Sequence, residues 1–198
     1  MITTVIFDLS EVYLKGLIGV EDILEPILSI KAREIYPKIR IKELNDLFFG
    51  KMTEEEYWSK VIERNNWNVD VETFKKAIRK NFEEIKGTRE IIEKLKKKGL
   101  KLGLLSTHVR EWIDYCNKKF DYHKLFHIVS YSFESEFLKT DKRVYKLILQ
   151  RLGSKPEETL FIDNDFKNLA VAKRLGIKTI KFRGPDKLEN ELRNMGIL

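Results

Sequence analysis

Ile2-Thr3-Thr4-Val5-Ile6-Phe7-Asp8-Leu9-Ser10-Glu11-Val12 is an apolar, β-branched run that stops at a carboxylate. The length and flanks of Ile2–Phe7 suit a buried strand, which places Asp8 at its carboxyl end. Four runs of the same kind follow: Leu100–Leu105, His127–Phe133, Thr159–Ile162 and Thr179–Phe182. Single amphipathic helices separate these four, over Val109–Phe120, Arg143–Leu152 and Phe166–Leu175. A helix over Thr88–Lys98 leads in and one over Asp186–Met195 closes the chain. Gly99, Gly153, Gly176 and Gly196 stand where helix stops are expected. Alternation of this kind predicts an α/β fold, a parallel sheet wrapped by helices on both faces.

The interval from Asp8 to Leu100 is too long for one crossover. Thr53 and Glu56 have capping-box spacing and open a predicted helix over Glu54–Arg64. Its apolar side carries Tyr57, Trp58, Val61 and Ile62. A second helix is predicted over Val71–Phe82. Residues 17–84 are therefore expected to form an α-helical insert, with 1–16 and 85–198 as the α/β core. Lys86-Gly87 marks the return.

Composition narrows the function classes. Hydrophobic residues make up 42% of the 198, enough for a real core. No stretch approaches the roughly 20 apolar residues of a membrane helix. The first residues lack the basic start and cleavage site of a signal peptide. Cys116 is the single cysteine, so no internal disulfide forms. These features point to the cytoplasm. The net charge of +7 fits an anionic partner or a lysine-coated surface of heat-adapted type, and Gln150 as the sole glutamine fits the second. No Walker loop, GxGxxG or zinc motif is present. Trp58, Trp67 and Trp112 read as packing rather than a base-stacking surface, so neither nucleic acid nor membrane is an expected partner. His108 reads as a helix-start residue. His123 and His127 flank a strand start without metal-ligand partners.

Ligands of parallel sheets bind beyond the carboxyl ends of the strands. Asp8 follows the first strand, Ser106 and Thr107 the second, Lys139 the third, and Asp163 the fourth. Such a set suits phosphoryl chemistry. A carboxylate attacks phosphorus, two carboxylates and a backbone carbonyl hold Mg²⁺, and the ammonium offsets the charge.

The segments Val-Ile-Phe-Asp8-Leu-Ser, Leu-Leu-Ser106-Thr, Lys139-Thr-Asp-Lys-Arg-Val-Tyr and Leu-Phe-Ile-Asp163-Asn-Asp-Phe-Lys-Asn resemble, in order, the four motifs of the haloacid dehalogenase superfamily. Gly87–Gly99 looks like the family's lead-in to the second motif. The insert resembles its α-helical cap. Phe49–Trp58 is similar to caps of the branch holding the N-terminal phosphatase domain of soluble epoxide hydrolase and related sugar phosphatases. The resemblance implies a Rossmann-like core and Asp8 as nucleophile. It also implies Mg²⁺ on Asp8, the Ser10 carbonyl and Asp163. Ser106 and Thr107 would bind the phosphoryl group, and Lys139 would orient and neutralise Asp8. The implied substrate is a small phosphorylated metabolite, and the implied state a monomer or homodimer.

Two positions depart from the family pattern. Phosphatases of the family usually carry an acid–base aspartate where this chain has Ser10. Losing that group removes about 10²–10⁴-fold, or roughly 3–5 kcal/mol. Glu11 is the nearby substitute, in place to act on substrate or to face solvent. In the fourth motif Asn164 stands where an acid is frequent, bringing a hydrogen bond to a metal-bound water but no charge. Asp165 either completes the metal site or caps the helix starting at Phe166. Two alternatives stay open. Ser10 favours a metal-independent 2-haloacid dehalogenase, against which Asp163 argues. Ser10 and Asn164 together favour a weakened relative that binds a phospho-ligand.

Overall fold

Five strands, β1 (Thr4–Phe7), β2 (Lys101–Ser106), β3 (Ile128–Tyr131), β4 (Thr159–Asp163) and β5 (Lys178–Lys181), form one sheet in the order β3-β2-β1-β4-β5. The computed structural model describes the whole chain, residues 1–198. All four pairings are parallel, and Phe7 stands opposite Leu104 of β2 and Ile162 of β4. Asp8 and Asp163 are thus the next residues out on adjacent strands. Strand order reverses between β1 and β4, the point where an open parallel sheet leaves a crevice at its carboxyl edge.

Eleven helices accompany the sheet. Between β1 and β2 lie α1 (Val20–Leu28), α2 (Ala32–Ile39), α3 (Leu44–Phe48), α4 (Glu54–Asn65), α5 (Val71–Lys80) and α6 (Thr88–Lys97). Then come α7 (Arg110–Phe120), α8 (Ser132–Ser135), α9 (Lys142–Leu152), α10 (Phe166–Arg174) and α11 (Pro185–Asn194). Side chains alternate across the sheet as the pleat requires. Val5, Phe7, Leu102, Leu104, Leu160 and Ile162 face one side, sharing a buried cluster with α6, α7 and α11. Cys116 of α7 lies inside that cluster. Ile6, Leu105 and Phe161 face the other side, against α9 and α10. Gly103 lets α9 lie close to β2, since a Cβ there would meet Leu152 Cδ1 at 2.9 Å.

Within the insert, α4 begins as its capping box predicts. Thr53 Oγ1 accepts the Glu56 N–H at 3.2 Å, and the Thr53 N–H donates to Glu56 Oε2 at 2.8 Å. A cap of this kind stabilises a helix by about 1 kcal/mol. Asp70 caps α5 by accepting the Thr73 N–H at 2.8 Å. The insert has no separate core, because Val20, Leu24, Tyr57, Trp58 and Phe74 belong to the same buried cluster as Val5 and Phe7. Its two connections to the sheet run side by side. The Lys15 N–H donates to the Glu83 carbonyl and the Ile85 N–H to the Tyr13 carbonyl, each at 2.8 Å. Arg89 of α6 clamps this pair through Glu84, which also accepts from the Tyr13 hydroxyl.

One predicted strand is shorter than expected. Pairing of His127–Phe133 stops at Tyr131, and Ser132 and Phe133 turn into α8. Ser132 Oγ donates to the Phe48 carbonyl at 2.6 Å, and the Tyr131 N–H donates to Glu134 Oε2. These bonds turn the chain toward the insert. His127 stays beside the sheet, its Nδ1 accepting the Leu102 N–H at 3.0 Å. Helix α5 ends at Lys80 rather than Phe82, and the other ends differ by one or two residues.

Candidate active site

The carboxyl edge brings Asp8, Lys139 and Asp163 together. Lys139 Nζ lies 2.6 Å from Asp8 Oδ1 and 2.8 Å from Asp163 Oδ2. The three residues are only 3%, 7% and 0% exposed. Each is held by its own element. The Leu9 N–H donates to Asp8 Oδ1 at 2.7 Å. The Asp165 N–H donates to Asp163 Oδ1 at 2.7 Å, and Asn168 Nδ2 reaches the same carboxylate at 3.1 and 3.3 Å. The Tyr145 hydroxyl lies 2.8 Å from the Lys139 carbonyl and 3.0 Å from that of Asn168. It ties the lysine loop to α10.

Two carboxylates share one ammonium here, so the buried group carries surplus negative charge. Burial first, then the Asp163 charge, pushes the Asp8 carboxyl well above the ordinary range, against the pull of Lys139. Burial works against the Lys139 ammonium, but Asp8 and Asp163 outweigh it and raise its pKa. Asp8 Oδ2 accepts no hydrogen bond from the protein, and Asp8 lines an open cleft. A carboxylate presented in this way can attack or can bind a cation.

Ser106 is buried, and its Oγ has no hydrogen-bond partner. It stands at the end of β2 but is not among the residues that line the cleft. Thr107, Ser10 and Asn164 line the same cleft. Glu11 sits there in left-handed backbone conformation, φ 61°. Its Oε1 accepts the Gly16 N–H at 2.8 Å, so it braces the loop after β1, and burial raises its pKa. Asp165 lines the cleft as well and caps α10, accepting the Lys167 N–H at 2.9 Å. His108 lines the cleft but is buried, with its Nδ1 accepting the Val109 N–H at 3.0 Å. Burial pushes its pKa down to about 4, so the ring is neutral near pH 7.

The cleft encloses about 260 Å³, and its far wall comes from the insert through Ile18, Tyr36, Arg40 and Phe48. Arg40 Nη1 donates to the Tyr36 hydroxyl at 2.8 Å. The sequence reading missed Tyr36, Arg40 and Phe48, since nothing local distinguishes a wall residue from a solvated one. It missed Asn168 too, although a polar residue one helical turn beyond Asp165, on the helix that Asp165 caps, was a usable signal. A larger hollow of about 700 Å³ beside α4 and α5 has a wholly polar lining and holds none of the strand-end residues.

No cluster of three or more His, Cys, Asp and Glu side chains is placed to hold a metal. The carboxylates brought together at the edge are Asp8 and Asp163, and Ser10 lines the same cleft. The oxygen chemistry and surplus charge of the pair fit Mg²⁺, which keeps several waters and takes one or two carboxylates. No helix is long and apolar enough to cross a membrane.

A family model described as haloacid dehalogenase-like hydrolase matches residues 5–182. The chain is 27% identical over 159 residues to a phosphorylated carbohydrates phosphatase of Thermotoga maritima, a match covering 76% of this chain and 73% of that protein. It is 29% identical over 97 residues to a pyrophosphatase of Bacillus cereus, covering 49% of this chain and 45% of that one. The first three curated relatives are matched over 10% to 46% of their own length. The fold is that of a haloacid dehalogenase family enzyme of Bacteroides thetaiotaomicron, solved with magnesium and inorganic phosphate. That likeness has a TM-score of 0.78 and 21% identity, and covers 93% of this chain and 96% of that one. With the family model spanning the sheet, the insert and all four strand-end motifs, the chain belongs to the haloacid dehalogenase-like hydrolases.

Proposed function

We propose that this hydrolase is a Mg²⁺-dependent phosphatase of small phosphorylated molecules, using Asp8 as nucleophile. The observation that carries the reading is the buried Asp8–Lys139–Asp163 group, with one Asp8 oxygen left without a protein partner at the cleft and the Ser106 hydroxyl unsatisfied at the end of the neighbouring strand. The phosphatase names of the Thermotoga and Bacillus relatives, and the magnesium and phosphate in the Bacteroides structure, support it.

In this reading Asp8 Oδ2 attacks phosphorus. The bond to the ester oxygen breaks, and its electron pair leaves with that oxygen. Lys139 holds Asp8 in its attacking orientation and offsets charge on the phosphoryl oxygens. Ser106 donates to one of those oxygens. Mg²⁺, held by Asp8, Asp163 and the Ser10 carbonyl, supplies charge neutralisation when bound. Water then hydrolyses the acyl phosphate and restores Asp8. Ser10 offers no effective proton to the leaving oxygen, because a hydroxyl is a weak acid near neutral pH. Activated phosphates are therefore the better substrates.

The test is hydrolysis of p-nitrophenyl phosphate and acetyl phosphate, with and without Mg²⁺, by wild type and Asp8→Asn. Mg²⁺-dependent turnover lost in the variant supports the proposal. Metal-free chloride release from 2-chloropropionate would replace it with dehalogenation. Phosphate binding without turnover on any substrate would replace it with a ligand-binding role.

A further inference from the structure

We propose that Asn81 is a positioning residue for the catalytic cleft, fixing from the end of α5 the loop that walls it. Asn81 is nearly buried, and its Nδ2 donates to the Gly16 carbonyl at 2.7 Å and to the Ile18 carbonyl at 2.9 Å. Gly16, Leu17 and Ile18 line the cleft with Asp8 and Lys139. The two bonds use both hydrogens of one amide nitrogen and span more than sixty residues of chain. An aspartate in the same place would offer no donor, and a serine only one.

The loop has no slack around this contact. The Gly16 N–H donates to Glu11 Oε1 while its carbonyl accepts from Asn81, so both its backbone polar groups are held by side chains. A Cβ on Gly16 would sit 3.0 Å from Glu11 Oε1 and 3.1 Å from Ser10 Oγ. Gly16 is therefore packed against the residue two places after the nucleophile. A shift of α5 reaches the neighbourhood of Ser10 through Asn81 and Gly16, alongside the backbone pairing of Lys15 with Glu83. Capping α5 does not account for this geometry. The helix end is served by the Asn81 backbone N–H, which donates to the Ile78 carbonyl, while the side chain turns away to the loop.

The inference rests on the phosphatase reading only for its kinetic readout, so two measurements are paired. The first is hydrogen exchange by mass spectrometry on wild type, Asn81→Ala and Asn81→Asp. Exchange in residues 12–19 is expected to speed up by about tenfold, the scale of one ordinary hydrogen bond. Exchange in α5 and β1 stays as in wild type. The second is hydrolysis of p-nitrophenyl phosphate. KM is expected to rise about fivefold or more with kcat changed less than about twofold, and more in Asn81→Asp, where carboxylate oxygens face two carbonyls. Asn81→Ser keeps one donor and replaces these variants if neither folds, with effects in the same direction. Unchanged exchange in 12–19, or faster exchange spread along α5, overturns the proposal. If wild type hydrolyses no phosphate ester, the phosphatase reading falls and the exchange data alone decide the role of Asn81.

Discussion

The indole rings of Trp58, on α4, and Trp112, on α7, lie nearly parallel, 16° between planes and 6.0 Å between centroids. This stack joins the insert to α7 within their shared core, and Trp112 also lines the cleft. Trp112→Ala is expected to lower stability by about 3–5 kcal/mol, the usual cost of deleting a large buried aromatic. Urea unfolding followed by far-UV circular dichroism and by fluorescence should show a single coincident transition for both proteins. Separate transitions would mean that the insert folds independently of the sheet.

Glu54 begins α4 almost fully buried and pairs with Arg79 of α5 at 2.5 Å. Burial raises the Glu54 pKa despite that partner. Arg79→Met leaves the carboxylate unpaired and is expected to cost about 3 kcal/mol near pH 7. The sign with pH follows from the raised folded-state value. Protonated Glu54 is tolerated inside, so the loss should shrink toward pH 5 and grow as pH rises through the folded pKa. Urea midpoints of wild type and variant at pH 5 and pH 8 measure it, and a loss equal at both pH values would refute the argument.

His108 gives the opposite slope. Its folded pKa is about 4 against an ordinary 6.5, so the unfolded chain takes the proton first. Stability is whole above the ordinary value and falls as pH drops through the window down to about 4. The total is roughly 3 kcal/mol. Subtracting the His108→Asn curve from that of wild type isolates this window from the carboxylates titrating alongside. A flat difference would mean that the ring titrates alike in the folded and unfolded chain.

Ser10→Asp places a carboxyl where family phosphatases usually have one, beside the nucleophile. Turnover on an alkyl phosphate is expected to rise by about tenfold or more, the low end of acid–base catalysis. Steady-state kcat on an alkyl and an aryl phosphate checks it, with the larger gain on the alkyl ester. A folded variant as slow as wild type shows that proton transfer to the leaving group does not limit the reaction.

The sheet was legible because β-branched runs alternate with amphipathic helices and are followed by chemistry-bearing residues. Asp8, Ser106, Lys139 and Asp163 each follow a strand, and a parallel sheet gathers such ends at one edge. Thr53 and Glu56 were legible because a capping box is local. What escaped depends on contacts remote in sequence. The strand at His127 ends early because Ser132 reaches Phe48 of the insert. Asn81 and Arg40 look like surface residues until α5 and α2 are placed over the cleft. Pro26 and Pro37 sit inside α1 and α2, where local propensity argues against a helix and burial of Leu24 and Ile35 outweighs it.

Cys116, inside the cluster beneath α7, is withdrawn from reagents both by position and by chemistry. Burial pushes its thiol up to about 12, and since the thiolate is the reactive form, only on the order of one molecule in 10⁵ offers it near pH 7. The folded chain is thus a silent background for thiol labelling. A cysteine introduced at exposed Ile18, on the rim of the cleft, would be its one reactive handle. A fluorophore there would watch the cleft without touching the native thiol.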